Sequence, residues 1–132
     1  MSLKGKNVLV TSGPTYEPID PVRFIGNHSS GKMGYAIVDQ LLQQGASVTL
    51  VTGPTSIRPN AKAKVITVQS AQQMFKAVIT ELPLQDALIF SAAVADYTPK
   101  IYSSNKIKKK DTEMFIELVK TKDIAKEVGL LK

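Results

Sequence analysis

The sequence predicts an α/β fold in three layers, a mostly parallel sheet with helices on both faces. Three observations point to it. Short, β-branched apolar runs recur along the chain and end at glycine or proline. Stretches with helical period lie between them. The resulting order of strand, helix, strand, short strand, helix, strand suits parallel strands joined by right-handed crossovers.

The first run, KNVLVTSG (Lys6–Gly13), reads as a buried strand ending at Gly-Pro. TYEPIDPVRFIGN (Thr15–Asn27) has two prolines and no helical period, so it reads as a long loop of the kind that is usually functional or mobile. A helix is expected to start near Ser29 or Ser30, with either serine as its cap. Met33, Ile37, Val38 and Leu41 would form its apolar face, and Gly45 would end it. SVTLVTG (Ser47–Gly53) is a second buried strand and AKVITVQ (Ala63–Gln69) a short third. Ser70 can cap a helix through Leu82, with Met74, Val78 and Leu82 at four-residue intervals and Pro83 as terminator. DALIFSAAVADY (Asp86–Tyr97) holds another strand, ending near Ser91–Ala93. Residues 98–111, polar and lysine-rich, are expected to form a mobile flap. MFIELVK (Met114–Lys120) looks like a strand, and Lys122–Leu131 a helix opening near Thr121 or Asp123. No internal repeat or linker is evident, so residues 1–132 are read as one domain.

Composition narrows the function classes. With 43% hydrophobic and 21% charged residues the chain is typical of a globular domain, and no apolar run reaches the ~18 residues of a membrane span. There is no cysteine, so disulfides and thiolate chemistry are excluded, and a cytoplasmic location is expected. The net charge is +6, and over residues 100–132 nine Lys+Arg face five Asp+Glu. A basic balance can mean nucleic acid, an anionic membrane or an anionic small substrate, and the cluster NKIKKK (Asn105–Lys110) has no interleaved aromatics, which weakens the single-stranded nucleic-acid reading. The single histidine, His28, excludes a histidine-based metal cluster.

GNHSSGKM (Gly26–Met33) resembles a P-loop and fails as one. Met33 stands where Ser or Thr would hold magnesium, and residues 14–25 separate the pattern from its strand. A dinucleotide fingerprint is missing too, since the first strand runs into SGPTYEP. Ser29, Ser30, Gly31 and Lys32 nevertheless offer two hydroxyls, a close backbone approach and a cation at a helix start, which is the chemistry of an anion cradle. A serine-capped helix without a ligand is the plain alternative.

TSGPTYEPIDPVRFIGNHSSGKMG, AAVADY and KIKKK, in this order, resemble the phosphopantothenoylcysteine synthetase family, in the bacterial CTP-dependent form fused behind a flavin-dependent decarboxylase. The likeness runs from about Lys6 to the C-terminus. It implies a Rossmann-like domain and a ligase of coenzyme A biosynthesis. Such an enzyme activates 4'-phosphopantothenate with CTP as an acyl-cytidylate, and cysteine then displaces CMP. The resemblance also implies magnesium, a homodimer with sites at the subunit interface, and FMN only in the fused decarboxylase domain, which this sequence does not include. It implies further that the family's domain continues past residue 132, so that this chain is its N-terminal portion and its sheet is cut short.

By that resemblance Asn27 and Lys106 are catalytic, Asn27 acting on the acyl-cytidylate and Lys106 closing over the reacting phosphates. Arg23 and Asn27 would bind substrate. Gly13, Ser29, Ser30, Gly31, Ala92, Ala93, Asp96 and Lys106 would bind nucleotide, and no residue is assigned to a metal. Lysines and helix N–H groups suit a reaction that gathers anions, because they stabilise charge rather than move protons. Each residue has a plainer reading: Arg23 as a solvated loop cation, Asn27 and Asp96 as turn residues, the lysines as a solvated run. Three other functions stay open: a nucleotide- or phosphate-binding fragment without activity, an NAD(P)-binding domain, and, most weakly, a nucleic-acid module. No membrane partner is expected.

Overall fold

The computed structural model describes residues 2–107 and 113–131. Lys108, Lys109 and Lys110, to which the sequence assigns no role, lie outside the described residues. In chain order the elements are β1 (Asn7–Ser12), β2 (Glu17–Pro18), β3 (Phe24–Ile25), α1 (Lys32–Gln43), β4 (Ser47–Thr52), β5 (Lys64–Thr67), α2 (Ala71–Glu81), β6 (Ala87–Phe90), β7 (Tyr97–Pro99), β8 (Leu118–Lys120) and α3 (Ile124–Leu130).

β5, β4, β1 and β6 form one sheet in that spatial order, and all its pairings are parallel. β1 is central, and its residues Val8–Ser12 are all buried, as a strand covered on both faces requires. Alternation along β1 and β4 divides the core in two. Val8, Val10, Val48 and Leu50 face Tyr35 and Val38 of α1. Leu9 and Val51 face Met74 and Val78 of α2 and Ile124 and Val128 of α3. Helices therefore cover both faces, and the Rossmann-like α/β architecture expected from the sequence is the one observed.

The helix ends follow local chemistry. Ser70 caps α2 in a full capping box, its hydroxyl accepting from Gln73 N–H while the Gln73 side chain accepts from Ser70 N–H. Pro83 breaks the helix into a 3-10 turn, Leu82–Leu84. Gly45, at φ +92°, ends α1 in the left-handed region that glycine enters without strain. Asp123, rather than Thr121, caps α3 by accepting from Lys126 N–H.

Several expectations need correction. α1 begins at Lys32, and its cap is Gly31 at φ +82°, so neither Ser29 nor Ser30 is the helix cap. The left-handed residue must be a glycine, and it turns the chain into the helix after both serines have passed. Met33 is 72% exposed, so the apolar face of α1 runs through Tyr35 and Val38, with Ile37 and Leu41 at its margin. Of Met114–Lys120 only Leu118–Lys120 is a strand. It pairs antiparallel with Tyr97–Pro99 outside the main sheet, so the expected flap leaves from an ordered hairpin edge. The long loop after β1 also holds a small hairpin, β2 with β3, and Tyr16 stacks on Phe24 with centroids 4.0 Å apart.

The loop that leaves β1 crosses the ends of both neighbouring strands. Pro14 bridges Ala93 beyond β6, and Gly53 beyond β4 donates its N–H to Ser12. A Cβ on Gly53 would overlap the carbonyl oxygen of Pro14, a backbone atom that cannot swing aside. We predict that Gly53→Ala destabilises the protein by about 1–3 kcal/mol or more. Urea unfolding would measure it, and a change below ~0.5 kcal/mol would contradict this packing.

Candidate functional site

Ligand sites of open parallel sheets lie beyond the carboxyl ends of the strands, where connections diverge to opposite sides. Here that point is the end of β1. The chain leaves β1 through α1 to β4 on one side, and returns from β5 through α2 to β6 on the other. Gly13, Gly31, Ala92 and Ala93 all gather at this point.

Gly13 follows β1 at φ +76°, and its carbonyl accepts from Ala93 N–H at 2.8 Å. Gly31 lies against it: a Cβ there would stand 3.4 Å from Gly13 Cα. Ser12 Oγ donates to the Gly31 carbonyl at 3.0 Å, and so pins the tip of α1 to the end of β1. Gly34 fits because it has no side chain. A Cβ would overlap the Ser12 side chain and stand 2.6 Å from Ser91 Oγ.

The three helix tips differ. At α2, Glu17 from the loop is buried and accepts from Ala71 N–H at 2.9 Å, in addition to the capping box. At α3, Asp123 fills the tip. At α1 the cap residue has no side chain to reach the amides of Met33 and Gly34, and the first turn holds no acid. Among the described residues Ser30 Oγ meets only Lys32 N–H, at 3.3 Å. Asn27 Oδ1 accepts from Ser29 N–H at 3.0 Å, and Thr55 Oγ1 donates to the Ser30 carbonyl at 2.6 Å, so the approach to the tip is shaped by local turns. With the Lys32 N–H turned to Ser30 Oγ, this tip keeps its partial positive charge, and its cap residue gives the other first-turn amides no side-chain partner.

On the other face of the sheet, the one packed by α2 and α3, a cleft of about 470 Å³ next to β6 is lined by Thr11, Phe90, Ala92, Val94, Asp96, Tyr97 and residues 120–125. Its rim, residues 92–96, is held at Ala95 from both sides. Thr15 Oγ1 accepts the Ala95 N–H at 2.9 Å, and Thr121 Oγ1 donates to the Ala95 carbonyl at 2.6 Å. Thr121 N–H also donates to the Asp96 carbonyl. Lys120, Lys122, Asp96 and Asp123 give the cleft both signs of charge.

Asp20 organises the other end of the loop. Its carboxylate is buried and receives five donors: the amides of Val22, Arg23 and Ile107, and the Arg23 guanidinium through Nε at 3.0 Å and Nη2 at 2.6 Å. Arg23 Nη2 also donates to the Ile107 carbonyl at 2.6 Å. The Arg23 guanidinium, opposed by desolvation and helped by these amides, holds the Asp20 carboxyl well below the usual carboxylate range.

The predicted residues thus fall into separate groups. Gly13, Gly31 and Ala93 share one hydrogen-bonded junction, with Ala92 joined through its N–H to Thr11 Oγ1 at 3.4 Å. Ala92 and Asp96 line the cleft, whereas Asn27 and Lys106 do not. Asn27, Ser30 and His28 are exposed on the approach to α1, and Ser29 is half-buried there. Lys106, within residues 98–111 of the expected flap, is exposed. Arg23 sits in the Asp20 network. Thr15, Asp20 and Thr121 escape a reading of the sequence, because their partners lie 80, 87 and 26 residues away. Asp123 carries a cap signal, but nothing local places it on a cleft.

Fold and site together define an open, doubly wound α/β domain of the Rossmann-like class, with its ligand end at the switch in strand order. The chain belongs to the family of the DNA/pantothenate metabolism flavoprotein C-terminal domain, whose profile matches residues 3–132. It is 50% identical over 128 residues to the coenzyme A biosynthesis bifunctional protein CoaBC of Bacillus subtilis, covering 96% of this chain and 32% of that protein. The corresponding protein of Escherichia coli is 46% identical over 133 residues, covering 98% and 33%. The chain therefore spans about a third of the length of these relatives. The crystal structure of the C-terminal domain of a CoaBC matches with a TM-score of 0.85 at 46% identity, over 98% of this chain and 60% of that one. A DNA/pantothenate metabolism flavoprotein from Streptococcus pneumoniae matches with a TM-score of 0.84 at 29% identity, over 96% and 65%.

The lowered pKa of Asp20 sets a pH dependence. Its contribution to stability is complete above the unfolded carboxylate pKa of roughly 3.9 and is lost as pH falls through the lower folded value. We predict that the melting-temperature gap between wild type and Asp20→Asn is constant from neutral pH to about pH 5 and narrows only below about pH 4. A gap that closes between about pH 7 and pH 5 would show that the carboxylate is not held in this way.

Proposed function

We propose that this chain supplies the nucleotide- and substrate-facing part of a ligase of coenzyme A biosynthesis, which joins 4'-phosphopantothenate to cysteine at the expense of CTP. The observation that carries the proposal is the open tip of α1. It sits at the end of β1, it is turned by a left-handed glycine, and it is uncapped while the tips of α2 and α3 are filled by Ser70, Glu17 and Asp123. Family membership and the names of the Bacillus and Escherichia relatives support the assignment to coenzyme A biosynthesis.

In this reading the phosphopantothenate carboxylate attacks the α-phosphorus of CTP, and pyrophosphate leaves. The amine of cysteine then attacks the acyl carbon, loses its proton, and CMP leaves. Gly31 and the first amides of α1 receive phosphate oxygens, with Ser29 and Ser30 beside them. Gly13, Ala92 and Ala93 keep the junction flat enough for a base or sugar to approach, and Asp96 offers an acceptor at the rim of the cleft. Asn27 orients the mixed anhydride, since its amide both donates and accepts. Lys106 brings positive charge to the reacting phosphates, and Arg23 faces an anionic part of the substrate.

Magnesium in this reading is carried mainly by the nucleotide phosphates and water, as is common for this ion. Asp96 is the acid nearest in sequence to the proposed base site, and among the described residues no group of three metal-binding side chains is assembled. A homodimer and a cytoplasmic location belong to the same proposal. So does an FMN-bearing decarboxylase elsewhere in a longer protein. Among the described residues no helix is long and apolar enough to cross a membrane.

A second reading is favoured by one observation: the chain covers 60% of the solved C-terminal domain of a CoaBC. It could bind nucleotide without turning it over. Pyrophosphate release from CTP in the presence of phosphopantothenate, sustained over many turnovers only when cysteine is added, separates the two. The ligase reading predicts release. Nucleotide binding without release supports the second reading, and no binding refutes both.

Two substitutions in the complete enzyme test the roles. We expect Asn27→Asp to slow amide formation by at least roughly tenfold more than cytidylate formation. Equal losses would make Asn27 structural. Lys106→Gln should lower turnover about 100-fold while shifting the melting temperature by less than ~2 °C, since the side chain is exposed. A large fall in melting temperature would contradict its placement on the surface.

A further inference from the structure

The loop after β1 and residue 107 are far apart in sequence, yet the Ile107 peptide is held at both of its polar groups. Its N–H donates to Asp20 Oδ2 at 3.0 Å. Its carbonyl accepts from Arg23 Nη2 at 2.6 Å. The same guanidinium is fixed by its paired contacts with Asp20. Two further donors, the amides of Val22 and Arg23, bind the second carboxylate oxygen, so Asp20 cannot rotate without losing bonds inside its own loop. The Asp20 side chain is fully buried, whereas 40% of the Arg23 side chain is exposed. The carboxylate is therefore the fixed post, and the guanidinium is the arm that reaches the next segment.

We propose that Asp20 is a positioning residue of the flap: with Arg23 as its arm it grips the Ile107 peptide, and so sets where the neighbouring Lys106 stands relative to the open tip of α1. A second bond steadies the same approach, since Ser103 N–H donates to the Ile19 carbonyl at 3.0 Å. The hairpin that carries Asp20 is anchored in turn by the Ile19 N–H to Arg23 carbonyl bond, and by Glu17 to the tip of α2. Asp20 touches no substrate in this arrangement and acts through the backbone of the flap. A charged acceptor suits the task, because bonds to an ionised carboxylate are shorter and stronger than neutral ones. Asparagine in its place would keep the size and lose the charge that Arg23 answers.

The inference deepens the proposed ligase reading for Lys106, and two measurements keep them apart. The first is amide hydrogen exchange at Ile107 in wild type, Asp20→Asn and Arg23→Lys, with Leu9 and Val10 of β1 as the core reference. Arg23→Lys keeps a cation beside the buried carboxylate but removes the fork that spans Asp20 and the Ile107 carbonyl. We expect Ile107 exchange to rise at least tenfold in Asp20→Asn and several-fold in Arg23→Lys, with the core reference unchanged. The second measurement is pyrophosphate release by the complete enzyme, where Asp20→Asn should lower kcat with a smaller change in KM for CTP. Unchanged protection of Ile107 in a folded variant overturns the proposal, as does a rise shared equally by the core. If Asp20→Asn does not fold, Arg23→Lys decides by the same criterion. Exchange that behaves as expected in a wild-type protein without pyrophosphate release would uphold the grip on Ile107 and refute the ligase reading.

Discussion

The carbonyl of Pro14 is pressed against Gly53, while on its other side Pro14 bridges Ala93; only a chain with glycine at position 53 leaves room for that crossing. This short segment, Gly13 to Thr15, runs across the carboxyl ends of β4 and β6 as it leaves β1. Its path decides what stands at the ligand end of the sheet. Gly13 supports Gly31 and hence the tip of α1, and Thr15 fixes Ala95 and hence the rim of the cleft. Further along the same loop, Glu17 closes the tip of α2 and Asp20 reaches the flap. Four features that a ligand could meet are thus referred to one loop, and that loop is referred to the central strand of the sheet.

Electrostatics then separates the tips. A helix start carries roughly half a positive charge in its free amides. Two of the three starts are answered internally, by Glu17 with Ser70 and by Asp123. The tip of α1 is answered by no acid, and the residue that caps it has no side chain. Arg23 extends from the buried Asp20 in the same loop, and Lys106 follows it in the flap. The chain as a whole carries an excess of six positive charges.

Much of the fold was legible in the sequence, because its signals are local. The unbroken apolar run of β1 announced a strand buried on both faces. Ser70 with Gln73 announced the start of α2, and Gly45 the end of α1. The start of α1 was misread because two serines precede the glycine, and serine capping is the commoner device. Met33 was misplaced because the buried face of α1 runs through Gly34, Tyr35 and Val38, and Met33, in the first turn, lies off it. β7 and β8 are three residues each and pair across the flap, so no periodicity can reveal them. At the site, Gly13, Gly31, Ala92 and Ala93 came from a motif resemblance and converge at one junction. Asp20, Thr15 and Thr121 act through partners brought near only by the topology, and no local pattern signals them.

The central claim is that the α1 tip at the end of β1 is the place where nucleotide phosphate settles. The most direct test is a titration of the isotope-labelled protein with CTP, followed by backbone amide resonances. The account predicts that the largest shifts fall at Gly31, Lys32 and Met33, with a second set at Ala92 to Asp96. Shifts confined to the opposite end of the sheet, around Asn7, Gly45 and Lys62, would contradict it.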